Sequence, residues 1–285
     1  MCRFTFYQGR PIRISSLVTE PSHSLINQSY NARERAEPLN GDGFGLAWYN
    51  HKVSESPSYF KSVSPAWNNT NLLQLARIIE STCILAHIRA ATQGLGVTET
   101  NCHPFVVGEF AFMHNGNIGG FQKIKRDLLI ELSDNAFNQL KGSTDSEHFF
   151  ALLLDELNKR SSLPKHEQMS SALIAAIKNI LDLSEKAQVK EFCYLNVVLT
   201  NGHIAVAARF TNDSPENAAS LHINMGRKYV CKNGACYMHD PGEHEKAVVI
   251  SSEPLSDDPG WENVPVNSIV VIKEGKILSR HTIGL

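Results

Sequence analysis

The chain has 285 residues, 42% of them hydrophobic and 20% charged, with a formal net charge of −2. This composition is that of a globular chain and excludes a disordered or collagen-like one. The near-neutral charge gives no electrostatic footing for nucleic acid or for an anionic membrane surface. Six cysteines sit at irregular spacings in a chain too long to need staples, no apolar run approaches a membrane span, and no basic-then-apolar leader opens the sequence. A reduced, cytoplasmic protein is the expectation.

Taken in order, Met1-Cys2-Arg3-Phe4 comes first. Removal of Met1 would leave Cys2 as the N-terminus, with a thiol and an α-amine on one residue. Together they make a nucleophile with its own base; on position alone, the reading of Cys2 as a buried strand residue is the stronger one. Arg3 to Tyr7 reads as a short strand, with Gln8-Gly9-Arg10-Pro11 as the turn after it. Residues 15–40 are polar and irregular. Asn40-Gly41-Asp42-Gly43 then forms a turn feeding a strand over Phe44 to Tyr49.

Apolar positions at helical spacing mark residues 71–80, followed by a buried strand from Cys83 to Ile88. Phe110 to Met113 is another strand, ending at His114-Asn115-Gly116-Asn117. A helix covers residues 120–132. Ser143-Thr144-Asp145-Ser146-Glu147 opens a longer one, with Thr144 and Glu147 spaced as a capping box and Asp145 in the first turn. Leu173, Ile174, Ile177, Ile180 and Leu181 mark a further helix. From Cys193 the pattern is of strands, at 193–200, 203–210, 220–225, 247–252 and 268–273, separated by Asn201-Gly202, Asn233-Gly234, Pro241-Gly242 and Glu274-Gly275. Strands at both ends with helices between predict an α+β protein whose two sheets pack on each other. With no repeat and no linker, residues 1–285 read as a single domain.

Four stretches fall in order behind Cys2: Asp42-Gly43-Phe44-Gly45; Ala86-His87-Ile88-Arg89-Ala90-Ala91-Thr92-Gln93-Gly94; Cys102-His103-Pro104-Phe105 with His114-Asn115-Gly116; and Ser143-Thr144-Asp145-Ser146-Glu147. Their order and content resemble the class II glutamine amidotransferase domain, an N-terminal-nucleophile hydrolase. The resemblance implies a four-layer αββα sandwich, with catalytic motifs over residues 2–147 and the strands of 193–285 completing the fold. It implies Cys2 as nucleophile and Asn115 and Gly116 as the oxyanion hole. Arg89 would hold a substrate α-carboxylate and Asp145 the α-ammonium, with Thr92 and His103 lining the pocket. The chemistry agrees: attack on a carboxamide builds charge on one oxygen, where a preorganised donor counts most, and a planar guanidinium suits a carboxylate.

Each residue also has a plainer reading. Arg89 could be a surface ion pair, Asp145 a helix-start carboxylate and Asn115-Gly116 a turn. His87 reads as a satisfied buried histidine. The plain readings do not explain the ordered set.

Further stretches, including Pro21-Ser22-His23-Ser24, Pro65-Ala66-Trp67-Asn68-Asn69, Glu99-Thr100-Asn101-Cys102-His103 and Ser251-Ser252-Glu253-Pro254-Leu255, resemble the stand-alone amidotransferase subunit of the fungal glutathione-degradation complex. That branch includes the amidohydrolase of ergothioneine biosynthesis. It implies cleavage of a γ-glutamyl amide bond without metal or organic cofactor, on glutamine or a γ-glutamyl small molecule, with a metallopeptidase-like protein as a possible partner. The chain departs from synthase-fused members at Ala90, where they carry an aromatic, and at Gln93, where they carry a His; this leaves room for a larger leaving group. The rivals are a metal module at Cys231, Cys236, His239 and His244, which lacks zinc-site spacing, a subunit inactive without its partner, and an acylase acting on another amide.

Overall fold

The structure, a computed structural model, describes residues 2–34, 39–90, 96–232, 235–241 and 246–285. The first half holds β1 (Arg3–Arg13), α1 (Ser15–Val18), α2 (Leu25–Tyr30), β2 (Phe44–Asn50), β3 (Ser54–Ser62), α3 (Thr70–Ile78), β4 (Glu80–Ile88), β5 (Phe105–Val107) and β6 (Phe110–Asn117). Helices follow: α4 (Phe121–Glu131), α5 (Asp134–Phe137), α6 (Asp145–Lys159) and α7 (Lys165–Lys186). The rest is β7 (Tyr194–Thr200), β8 (Ile204–Thr211), β9 (His222–Lys232), β10 (Ala235–Pro241), β11 (Ala247–Ser251), β12 (Glu262–Asn263), β13 (Ser268–Lys273) and β14 (Lys276–Thr282).

Among the described residues the strands form two antiparallel sheets. The eight-stranded sheet runs β10-β9-β11-β1-β4-β2-β3 with β12 beside β9, and the six-stranded one runs β14-β13-β8-β7-β6-β5. Alternation along the strands sorts side chains into three cores. Phe4, Phe6, Leu85, Val248 and Ile250 meet Met113, Val198, Ala207 and Val270 between the sheets. Tyr7, Leu46, Ile84 and Val249 pack under Leu17, Leu25 and Leu72 of α1, α2 and α3. Phe112, Val197, Leu199 and Val271 pack under Ile124, Phe149, Leu153 and Ile177 of α4, α6 and α7. The result is the four-layer αββα sandwich. Each fully buried Phe or Leu contributes about 1.5–3 kcal/mol of transfer free energy. No helix among the described residues is long and apolar enough to cross a membrane.

Several expectations need correction. The strand opening at Arg3 does not turn at Gln8-Gly9-Arg10-Pro11; it runs on to Arg13, with a register shift against β4 between Gln8 and Ile12 that absorbs the glycine and proline. Residues 15–40 hold two short helices, the second capped by Ser24, whose hydroxyl accepts the Asn27 N–H. The capping box is half formed. Thr144 accepts the Glu147 N–H, but the Glu147 carboxylate turns to the N–H groups of Lys141 (2.9 Å) and Gly142 (2.7 Å). Cys231 and Cys236 face each other across β9 and β10 and are joined by a disulfide, because directly opposite strand positions bring their Cβ atoms together. The chain is therefore not wholly reduced, and these sulfurs are not free to be thiolate ligands. His239 pairs with Asp240, while His244 lies outside the described residues.

Candidate active site

Cys2 immediately precedes β1, which lies inside the larger sheet between β4 and β11. Antiparallel pairing sets Arg3 opposite Ile88, so the residues after β4 come alongside Cys2. The Ala90 N–H donates to the Cys2 Sγ at 3.4 Å, and the thiol donates to the Ala90 carbonyl at 3.6 Å. The next residue back is Arg89, 4% exposed. Its main chain is fixed on both sides by the glycine-rich turn: Arg89 N–H donates to Gly43 O, and Asp42 N–H to Arg89 O. Its Nη2 donates to Gly96 O at 3.3 Å, while its buried Nη1 has no hydrogen-bond partner among the described residues. Such a guanidinium nitrogen calls for an acceptor.

The glycines in Asp42-Gly43-Phe44-Gly45 serve packing. A Cβ on Gly45 would lie 2.1 Å from the His103 carbonyl oxygen, so β2 and the Cys102-His103 segment approach only because position 45 lacks one. His103 is buried, its ring 4.2 Å from that of His87 and 4.6 Å from Phe105, and neither of its nitrogens has a partner among the described residues. Burial and the neighbouring His87 hold it well below the usual histidine range. His87 is likewise pushed down, to about 3, chiefly by burial. Its Nε2 reaches the His114 carbonyl, as a satisfied histidine should, but its Nδ1 has no partner. Burial also raises the Cys102 thiol, which leaves this sulfur a poor nucleophile.

Asn115 and Gly116 lie within β6 rather than in a turn. Gly116 has φ of 153°, and a Cβ there would stand 1.7 Å from the Tyr194 carbonyl oxygen. Asn115 is fully buried; its Nδ2 lies 3.2 Å from Ser252 Oγ, which also accepts the Phe4 N–H at 3.1 Å. Ser252 thereby ties the strand that carries Cys2 to Asn115 in the other sheet. His114 donates from Nε2 to Tyr194 O, so its Nδ1 accepts from the Ser146 hydroxyl at 2.9 Å.

Asp145 opens α6. Its carboxylate accepts the N–H groups of Ile118 (2.9 Å) and Ser146 (2.8 Å), a structural duty that ties the end of β6 to the helix start. Asn101 links this region to the arginine loop: its Nδ2 donates to Gly96 O, and its Oδ1 accepts the Ser143 N–H. Cys2, Arg89 and the Asn115–Ser252 pair are thus brought to one end of the sheets, and Asn101 ties the Gly96 carbonyl that Arg89 meets to Ser143, two residues before Asp145. Thr92, expected in the pocket, lies outside the described residues, as does Gln93.

Sequence reasoning missed the support behind Cys2. Arg3, 2% exposed, donates from Nε to Glu253 at 2.8 Å and from Nη1 to the Cys2 carbonyl at 3.1 Å. Glu253 also meets His23 at 2.7 Å and accepts the N–H groups of Arg33 and Glu34. The one available signal was a carboxylate inside Ser251-Ser252-Glu253-Pro254-Leu255.

Residues 15–283 match the family described as glutamine amidotransferases class-II. The chain is 41% identical over 298 residues to the Saccharomyces cerevisiae protein named "Probable glutamine amidotransferase DUG3", covering 98% of this chain and 83% of that protein. It is 34% identical over 275 residues to the Mycobacterium tuberculosis "Gamma-glutamyl-hercynylcysteine sulfoxide hydrolase", covering 96% and 94%. A class-II glutamine aminotransferase domain protein from Silicibacter pomeroyi superposes with a TM-score of 0.66 at 23% identity over 99% of both chains. The Bacillus subtilis glutamine phosphoribosylpyrophosphate amidotransferase does so at 0.64 and 14% identity, over 100% of this chain and 50% of that one. These last two bear on the fold alone. The chain belongs to the class II glutamine amidotransferases.

Proposed function

We propose that this enzyme cleaves the γ-glutamyl amide bond of glutamine or of a larger γ-glutamyl compound through a Cys2 thioester. The observation that carries the reading is the adjacency of Arg89 and Ala90. One offers a buried, unpartnered guanidinium nitrogen, and the other holds the Cys2 sulfur by its backbone. An amino-acid head group on Arg89 would direct its side-chain carbonyl towards the thiol.

After loss of Met1, the Cys2 α-amine takes the thiol proton and the sulfur attacks the γ-carbonyl carbon, forming the C–S bond. Asn115 and the Gly116 backbone N–H stabilise the oxyanion. The C–N bond breaks, the departing amine takes a proton from the α-ammonium, and water hydrolyses the thioester to release glutamate. Asp145 retains acceptor capacity beyond its two backbone bonds for a substrate ammonium, and His103 is a neutral wall of the pocket. The small side chain of Ala90 supports a leaving group larger than ammonia, in line with the mycobacterial relative's name.

The test is the intact mass of the purified protein before and after 6-diazo-5-oxo-norleucine. Loss of Met1 and one covalent adduct, absent in Cys2→Ala, is the expected result. Full turnover with Met1 retained overturns the mechanism. Loss of Met1 without an adduct points instead to a subunit that needs a partner chain or a larger substrate.

A further inference from the structure

Away from Cys2, the two sheets meet at a cluster of metal-binding side chains. His51 stands in the turn between β2 and β3, Glu55 on β3, and His203 in the turn between β7 and β8. One ligand atom from each lies within 4.8 Å of the other two. The imidazoles of His51 and His203 stack with centroids 3.9 Å apart, and the Tyr49 ring stacks with His51 at 5.4 Å. Both nitrogens of His51 are buried without a hydrogen-bond partner among the described residues, although Nδ1 lies 3.4 Å from Glu55 Oε2.

The His203 side of the cluster is preset. Asn201 Oδ1 accepts the N–H groups of His203 and Ile204, Gly202 N–H donates to Thr200 Oγ1, and Gln8 Nε2 donates to Gly202 O. Gly202 has φ of 87°, and a Cβ there would come 2.3 Å from His51 Nε2, so the close seat of this turn on His51 requires glycine.

The geometry points to a divalent transition-metal site, suited to Zn2+, in which His51, His203 and Glu55 supply two imidazole nitrogens and a carboxylate while water fills the remaining positions. Two His and one carboxylate are a common zinc donor set, and metal–ligand distances of about 2.0–2.2 Å require only that the stacked rings splay until their lone pairs converge. His203 and Glu55 are exposed enough to make that movement. A bound ion would clamp the β2–β3 turn of one sheet to the β7–β8 turn of the other, so its binding energy would add to the stability of the sandwich. The site is independent of the Cys2 reaction.

The test is calorimetric titration of Zn2+ into the full chain carrying Cys2→Ala, which removes the half-buried thiol, with Co2+ absorption as a second readout. The expected result is one ion per chain and a melting temperature that rises with Zn2+. His203→Ala should weaken binding by about tenfold or more and abolish the thermal shift. Glu55→Gln should weaken it as well; both variants remove exposed side chains and leave the core intact. Failure of the parent to bind at micromolar Zn2+ overturns the proposal, as does binding that His203→Ala leaves unchanged.

Discussion

Ser252 and Asn115 share one contact across the two sheets, 3.2 Å between Oγ and Nδ2, while the Oδ1 of the same amide is buried without a partner. Oxygen and nitrogen of a side-chain amide are interchangeable until the hydrogen-bond network assigns them. Ser252 Oγ already accepts the Phe4 N–H, so its own proton is best donated. Turning the amide lets that hydroxyl donate to Oδ1 and puts Nδ2 in the buried position without a partner among the described residues, as a donor for an oxyanion. Ser252→Ala is therefore expected to lower kcat by about ten- to a hundredfold with KM little changed. Steady-state kinetics beside a thermal melt would check this; a fall in kcat matched by collapse of the melting temperature would show a merely structural role.

Arg89→Lys should behave as a severe substitution. Lysine brings one compact charge where the fold presents a planar fork, one nitrogen already spent on Gly96 O and another unpartnered. The expected outcome is a rise in KM for glutamine of about ten- to a hundredfold, with a smaller loss in kcat. An unchanged KM would remove Arg89 from the substrate site.

Gly116→Ala should fail to fold stably. The added methyl would sit 1.7 Å from the Tyr194 carbonyl oxygen, with the Tyr194 carbonyl carbon 2.7 Å away, so only a shift of β6 against β7 could make room. A loss above about 3 kcal/mol is expected, read from chemical denaturation. Near-parental stability would contradict the strand register described for β6 and β7.

Glu253 sets an acid limit. Burial alone would raise its carboxyl, but His23, the backbone N–H groups of Arg33 and Glu34, and the charge of Arg3 outweigh burial and hold it at about 2. A carboxyl held low in the fold contributes stability that is complete above its unfolded value, near 4.5, and is lost as pH falls from there towards 2. The loss is on the order of 3 kcal/mol. Glu253→Gln should flatten this acid limb and cost about 3–5 kcal/mol at neutral pH, because Arg3 would keep its burial and lose its counter-charge. Urea midpoints measured from pH 6 to pH 3 would decide; parallel curves for parent and variant would refute it.

Legibility in the sequence followed signal strength. The helix start at Thr144, the buried run Cys83–Ile88 and the nearly continuous apolar runs of β7 and β8 carry local patterns strong enough to place them. Strands β3 and β14 were not expected because they lie at sheet edges and are mostly exposed, so no apolar alternation marks them. The glycine and proline after Tyr7 read as a turn, yet pairing on both sides of a central strand overrode that local preference with a register shift. In the candidate site, the ordered motifs that hold Cys2, Arg89, Asn115 and Gly116 were legible, and the fold brings them to one end of the sheets. Arg3 with Glu253 was not, since 250 positions separate the partners and neither residue type is unusual alone.

The place of β1 also governs when activity can appear. The residues that follow Cys2 are hydrogen-bonded on one side to β4 and on the other to β11, so the sheet cannot close around them until residues 247–251 have left the ribosome. A nascent chain would carry its thiol, and once Met1 is trimmed its amine, through most of synthesis without the wall that aims them. Hydrolytic competence should therefore emerge late and abruptly during translation.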